Sequence, residues 1–112
     1  MEDRTPRFAE AVIELSKKVR QSPITLPLIG QLVRAATSVG ANYCEADDAI
    51  SKKDFLNRIG ICRKESRESK YWLRMIVAAD PAVREGARKL WVEAKELNLI
   101  FSRILRSGRL RE

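Results

Sequence analysis

LPLIGQLVRAATSVGANYCEADDAI, residues 26–50, is the stretch whose reading decides the fold. Between Leu26 and Cys44 the single charged residue is Arg34, in a chain where 33% of residues are charged. A long segment that is apolar over most of its circumference reads as the buried central helix of a bundle. Gln31, Arg34, Thr37, Ser38 and Asn42 interrupt it too often for a membrane span of ~20 apolar residues. Ala35, Ala36, Ser38, Gly40 and Ala41 make it thin, so neighbouring helices can approach closely. Leu28, Leu32, Ala36, Val39, Tyr43, Ala46 and Ile50 form one apolar face, and Arg34, Ser38, Ala41, Asn42 and Glu45 a polar or small stripe. The helix is expected to start at Thr25-Leu26, with Pro27 in its first turn, and to end at Asp47-Asp48.

Three further helices flank it. The first opens with Thr5 as N-cap and Pro6 at the first helical position, and ends near Gln21. Its core stripe is Phe8, Val12, Leu15 and Val19. The third begins at Ser51, where Ser51 and Asp54 resemble a capping box, and runs for ~40 Å to about Ala79. Phe55, Ile59, Cys62, Ser66, Ser69, Leu73 and Ile76 line its core face. The fourth starts with Asp80 as N-cap and Pro81 at the first position, and Ser107-Gly108 closes it. Val83, Ala87, Leu90, Ala94, Leu97, Phe101 and Ile104 recur at spacings of four and three, a coiled-coil-like seam that Trp91, Asn98 and Leu105 broaden. The expected architecture is all-α, an antiparallel up-down-up-down four-helix bundle forming one domain over residues 1–112. A chain of this length buries roughly 65% of its extended-chain surface.

Cys44 and Cys62 are the only cysteines. In a hairpin turning near Ala49–Ile50 they are offset by ~10 Å along the axis, beyond the ~7 Å that Cα atoms of a disulfide allow. Both are expected to be reduced and packed as small apolar side chains. The chain contains no histidine, which removes Glu-x-x-His di-iron pairs and the usual general base. Two cysteines so placed cannot hold zinc alone, and Gly30 and Gly40 lie in no phosphate-cradling loop. No catalytic residue, metal or cofactor is expected. Met1-Glu2-Asp3-Arg4 is polar and the first apolar run is amphipathic, so a secretory leader is not expected and cytoplasmic location is the default.

With the same hairpin register, Arg34 lies level with Glu65 and is expected to pair with it. Glu45 lies about one turn from level with Arg58, which suggests a second structural pair. The formal charge of +7 and pI of about 9.9 point to a polyanionic partner or, more simply, to solubility. The charge concentrates in the third helix: Ser51 to Ala79 holds eight basic and three acidic residues. Arg63, Arg67, Lys70 and Arg74, spaced four, three and four, lie along one side; Lys53 extends the row, and Lys52 and Lys64 flank it. Such a row follows a phosphate backbone, although Glu68 could neutralise Lys64 and the row could be a solvated face. Tyr71 and Trp72 are candidates for stacking on bases or for anchoring a core. Arg109 and Arg111 add a short basic tail.

The run Arg34-Ala35-Ala36-Thr37-Ser38-Val39-Gly40-Ala41-Asn42-Tyr43-Cys44-Glu45-Ala46 resembles the bacterial four-helix-bundle proteins named for ribosomal-RNA intervening sequences. Ser51-Lys52-Lys53-Asp54-Phe55, Lys64-Glu65, Glu68-Ser69 and Tyr71-Trp72-Leu73-Arg74 complete the likeness over nearly the whole chain. Members are often encoded within insertions in large-subunit ribosomal RNA genes, and a related branch serves diversity-generating retroelements beside a reverse transcriptase. The resemblance implies a homopentameric, barrel-like ring with a basic surface and no catalytic residues. It also implies that Arg34, Asn42, Glu45 and Glu65 serve bundle or ring geometry. The reading that results is a non-enzymatic, oligomeric binder of RNA or DNA, or an adaptor. The alternative is a scaffold that recruits another protein, and neither role involves a membrane.

Overall fold

In the computed structural model the apolar 26–50 stretch is helical over most of its length and lies between the first and third helices. The structure describes residues 1–110, and side chains as far as Gly108. Its α-helices are α1 (Arg4–Lys18), α2 (Thr25–Asp47), α3 (Lys52–Ala79) and α4 (Arg84–Leu110), the last preceded by a 3₁₀ turn at Pro81–Val83. No strand occurs among the described residues. The molecule measures 47 × 22 × 19 Å, a rod one long helix in length.

Three contacts fix the α2–α3 hairpin, each centred on position 50. Arg34 reaches Glu65, the Cys62 thiol donates to the Val39 carbonyl, and Arg58 donates to the Asn42 side chain. At the opposite end the α1–α2 and α3–α4 connections meet, because the Arg20 backbone N–H donates to the Asp80 carboxylate at 2.9 Å. The topology is therefore up-down-up-down: α2 packs on α3, α3 on α4, α1 on α2, and α1 more lightly on α4. No described helix is long and apolar enough to cross a membrane.

The core stripes fall where the spacings put them. Phe8, Val12, Leu15 and Val19 of the first segment meet Leu32, Ala36 and Val39 of α2, Ile59, Cys62, Leu73 and Ile76 of α3, and Ala87, Ala94, Leu97 and Phe101 of α4. Fully buried side chains as large as Leu97 and Phe101 stabilise the fold by about 2 kcal/mol each. Ser66 and Ser69 are also fully buried, with their hydroxyls donating to the carbonyls of Cys62 and Glu65 one turn back. Small hydroxyls bonded in this way allow α3 to lie close to its neighbours without an orphaned polar atom.

The helix ends differ from expectation in instructive ways. Helix α1 starts at Arg4, so Thr5 is inside it; the Thr5 hydroxyl donates to the Met1 carbonyl, and the residue is buried beside Gly40 of α2. The helix stops at Lys18 rather than near Gln21. Thr25 donates to the Arg20 carbonyl and Ser22 accepts from the Ile24 and Thr25 N–H groups, an alternative to continued helix. Ser51 caps α3 as expected, accepting from the Asp54 N–H. Asp80 accepts from the Ala82 N–H, but Pro81 opens a 3₁₀ turn before α4 proper. Gly108 does not close α4, which is helical to Leu110; the Leu56 side chain packs where a Cβ on Gly108 would sit. Leu105 takes the core place expected for Ile104, which is half-buried. Ile50 belongs to no apolar face: it sits in the α2–α3 turn, 98% exposed. Both cysteines are free, but only Cys62 is packed, where burial pushes its thiol up to about 12; Cys44 is exposed.

Candidate nucleic-acid interface

Helix α3 carries two faces of opposite electrostatic character. Toward α2, Arg34 bridges Glu65 at 3.1 Å and also bonds Glu68, whose carboxylate receives the Trp72 indole N–H. The Glu65 side chain is 6% exposed and Arg34 is 48% exposed, so the pair sits at the edge of the core. The expected Arg34–Glu65 pair is thus present. The expected Glu45–Arg58 pair is not: with the hairpin centred on position 50, Asn42 and not Glu45 lies opposite Arg58, and the Asn42 carbonyl oxygen accepts its hydrogen bond at 3.2 Å. Glu45 points to solvent. Asn42 is in turn held by donating to the Ser38 carbonyl and hydroxyl.

Toward α4, α3 presents its cations. Arg63, Lys64, Arg67 and Arg74 are exposed and Lys70 is half-buried. Arg63, Lys64, Arg67 and Lys70 line one wall of a groove of about 420 Å³ whose other wall is Asn98 and Ser102 of α4. Asn98 ties the two helices by donating to the Arg63 carbonyl at 2.9 Å. Lys53 continues the row at the α2–α3 end, where it shares a wider groove with Arg63 and Lys64. Lys52 does not join it; that side chain faces Arg103, Ile104 and Ser107 in a separate recess. Arg111 and the side chain of Arg109 lie outside the described residues.

Asp54 shares the wider groove with Lys53, Arg63 and Lys64 without forming an ion pair, and the other acids of α3 and the central acids of α4 face away from the row. Glu65 and Glu68 face Arg34 on α2. On α4, Glu93 and Glu96 face Arg4 of α1: the guanidinium donates to both Glu93 oxygens at 2.7 and 2.8 Å and to Glu96 at 2.9 Å. Those hydrogen bonds hold the Glu93 carboxyl below its usual range and raise Arg4 above its own. Among the described residues, none of Lys53, Arg63, Lys64, Arg67, Lys70 and Arg74 forms an ion pair. Helix periodicity puts these carboxylates on the sides of α3 and α4 turned from the seam, where Arg34 of α2 and Arg4 of α1 pair with them, and the central part of the α3/α4 seam is left cationic.

Helix α4 adds residues that the sequence did not single out. Arg84 and Arg88 stand beside Arg74 at the far end of the seam, and Lys95 lies beside Trp91. Trp91, expected only to broaden the core, is half-buried with the Lys70 ammonium 5.1 Å from its ring centre. The aromatic candidates Tyr71 and Trp72 lie instead against each other, edge to face at 5.0 Å, with Trp72 tied to the acidic α2 side. The spacing of seven from Arg84 through Trp91 to Asn98 was the available signal for this second wall. No cluster of three or more metal-ligating side chains forms among the described residues.

The model of the family described as 23S rRNA-intervening sequence protein matches residues 3–103. A crystal structure of a protein of unknown function from the S23 ribosomal protein family of Bacteroides thetaiotaomicron superposes with a TM-score of 0.82 at 29% identity, covering 93% of this chain and 96% of that one. No functionally curated protein matches the sequence.

Proposed function

The chain belongs to the 23S rRNA-intervening sequence protein family, and we propose that it is a non-enzymatic, oligomeric nucleic-acid-binding or adaptor protein of the cytoplasm that holds a phosphate backbone on the α3/α4 seam. The observation that carries this reading is that Arg63, Lys64, Arg67 and Arg74 stand exposed on one side of α3 without an ion pair, while Glu65, Glu68, Glu93 and Glu96 face Arg34 and Arg4 on other sides. A solvated face that served solubility alone would gain from interspersed signs; a single-sign row costs self-repulsion and attracts a polyanion. Successive cations stand about 5 Å apart along the helix axis, a spacing that tracks phosphates without reading bases.

Assembly into a homo-oligomer, a pentameric ring by resemblance, is supported by the aliphatic side chains that one chain leaves uncovered on α1 and α4: Ile13, Val92 and Leu99. Light scattering that returns a monomer mass would defeat that part of the proposal. For binding, labelled RNA and DNA are titrated across a salt series. Engagement of five phosphates by a single strand gives a slope of log affinity on log salt of about −3.5. Charge reversal at Arg67 and Lys70 flattens it, and no binding at low salt sinks the reading.

A second reading has its own support. Ile50 projects fully into solvent at the α2–α3 turn, beside an open groove of about 900 Å³ that includes Leu56, Ile61 and Leu105. Such a surface suits a scaffold that recruits another protein. Kinship with the accessory proteins of diversity-generating retroelements belongs to the same proposal, with a reverse transcriptase as the partner. Ile50→Ser, which removes the apolar side chain without adding charge beside Lys53, Arg63 and Lys64, abolishes recruitment in that case and leaves the electrostatic attraction of a polyanion in place.

A further inference from the structure

We infer that the ligand of the α3/α4 seam is a single strand, and that Trp91 takes one of its unpaired bases; the inference rests on the nucleic-acid reading above. Beside Trp91 lies a recess of about 220 Å³ whose floor is apolar, formed with Leu73 and Val77. Its rim is cationic: Arg74 on α3 and Arg84 and Arg88 on α4. The Lys70 and Lys95 ammonium groups lie 5.1 and 5.8 Å from the centre of the indole ring.

A duplex offers this site little. Its phosphates would meet the cations, but its bases are stacked inside and leave an apolar hollow empty. A single strand presents both chemistries together. Its backbone follows the row of cations from Arg63 to Arg74, while a splayed base lies against the indole with neighbouring phosphates on the rim arginines. Charge complementarity selects the occupant: an apolar recess ringed by three guanidiniums fits a flat, apolar-faced group carried on a polyanion, and an aliphatic peptide would leave the arginines unmatched. The other tryptophan is not placed for this, since the Trp72 N–H is bonded to Glu68 on the opposite side of α3.

The test uses the full chain carrying Trp72→Phe, which leaves Trp91 as the single tryptophan of the two in the sequence. Fluorescein-labelled oligonucleotides of one sequence are titrated as single-stranded RNA, single-stranded DNA and duplex. Base stacking predicts saturable quenching of Trp91 emission by either single strand, and a single-strand affinity roughly tenfold above that of the duplex. Trp91→Leu keeps apolar bulk in the seam. It lowers single-strand affinity by roughly tenfold and leaves the weaker duplex binding unchanged. Circular dichroism checks that the variant is folded, and the quenching measurement needs no change at position 91. Duplex bound as tightly as single strand, or single-strand binding with unquenched Trp91, overturns the inference and leaves the nucleic-acid reading standing. No binding of any of the three at low salt overturns both.

Discussion

The two long sides of α3 differ in how their charge is handled. On the α2 side, carboxylates and a guanidinium meet at the core edge: Arg34 spans Glu65 and Glu68, and Arg58 is bonded to Asn42. On the α4 side, four cations succeed one another with no acid among them. One helix thus does two things. Glu65 and Glu68 serve register on one side, and the side that carries Arg63, Arg67, Lys70 and Arg74 holds no acid between them. Charge that is paired near a core contributes specificity and is costly to break. Charge that is solvated and unpaired contributes little to the fold and is free to meet a ligand.

The sharpest way to break this comparison is Arg34→Ala. The Glu65 carboxylate, nearly removed from water, then has no cation. Losing one partner of a fully buried pair costs 3–5 kcal/mol, and the half-exposed Arg34 reduces this to about 2 kcal/mol. Urea unfolding reads it as a lower midpoint at unchanged slope. Glu65→Gln introduced beside Arg34→Ala recovers part of the loss, because a neutral amide tolerates the site better. A loss below about 0.5 kcal/mol would mean that the pair is an ordinary surface contact and that the two faces of α3 do not differ in kind.

How much of this contrast was legible in the sequence depends on which helices it joins. The core stripe of α3 and the Arg34–Glu65 pair follow from period and from a hairpin turning near position 50, because adjacent antiparallel helices have their register set by the turn. That register holds, and it puts Asn42 rather than Glu45 level with Arg58; the expected Glu45–Arg58 pair needs a reach of about one turn, and Arg58 takes the nearer partner. The contacts of Arg4 were invisible: α1 and α4 are the two ends of the chain, no turn links them, and nothing local says that Arg4 meets Glu93. Trp91 was hidden for a related reason. Its place at the edge of the α4 stripe is read equally well as core or as groove, and only the position of Lys70 on the neighbouring helix decides. Gly108 carried a misleading signal. Glycine stops many helices in a left-handed turn, yet here it remains helical and makes room for Leu56.

The Arg4 cluster makes a smaller, pH-dependent version of the same test. Both partners are partly exposed, so Glu93→Gln costs about 1 kcal/mol at neutral pH. The folded-state pKa of Glu93 lies below the ordinary 4.5. Its contribution is therefore fully present above pH 4.5 and is lost as pH falls through the folded value. Unfolding curves of the parent and Glu93→Gln should stay separated from pH 7 down to about 5 and converge in stronger acid. Separation that persists unchanged at pH 2 would show that packing of the Arg4 stem, and not its charge, holds α1 on α4.

The smallest effect has the opposite sign and distinguishes the two faces most clearly. Arg67 has Arg63 four residues before it, Lys64 three before and Lys70 three after, all on one helix and all cationic. Like-charge pairs at these spacings destabilise a helix by about 0.2–0.5 kcal/mol each, and Gln matches Arg in helix propensity. Arg67→Gln should therefore stabilise the protein by about 0.5 kcal/mol at low ionic strength. The gain should vanish in 1 M salt, where the screening length is about 3 Å. The same substitution weakens binding of the polyanion, so stability and affinity move in opposite directions at one residue. Arg67→Gln that destabilises the fold instead would place this guanidinium in a structural contact like that of Arg34, and the face it stands on would no longer be available to a ligand.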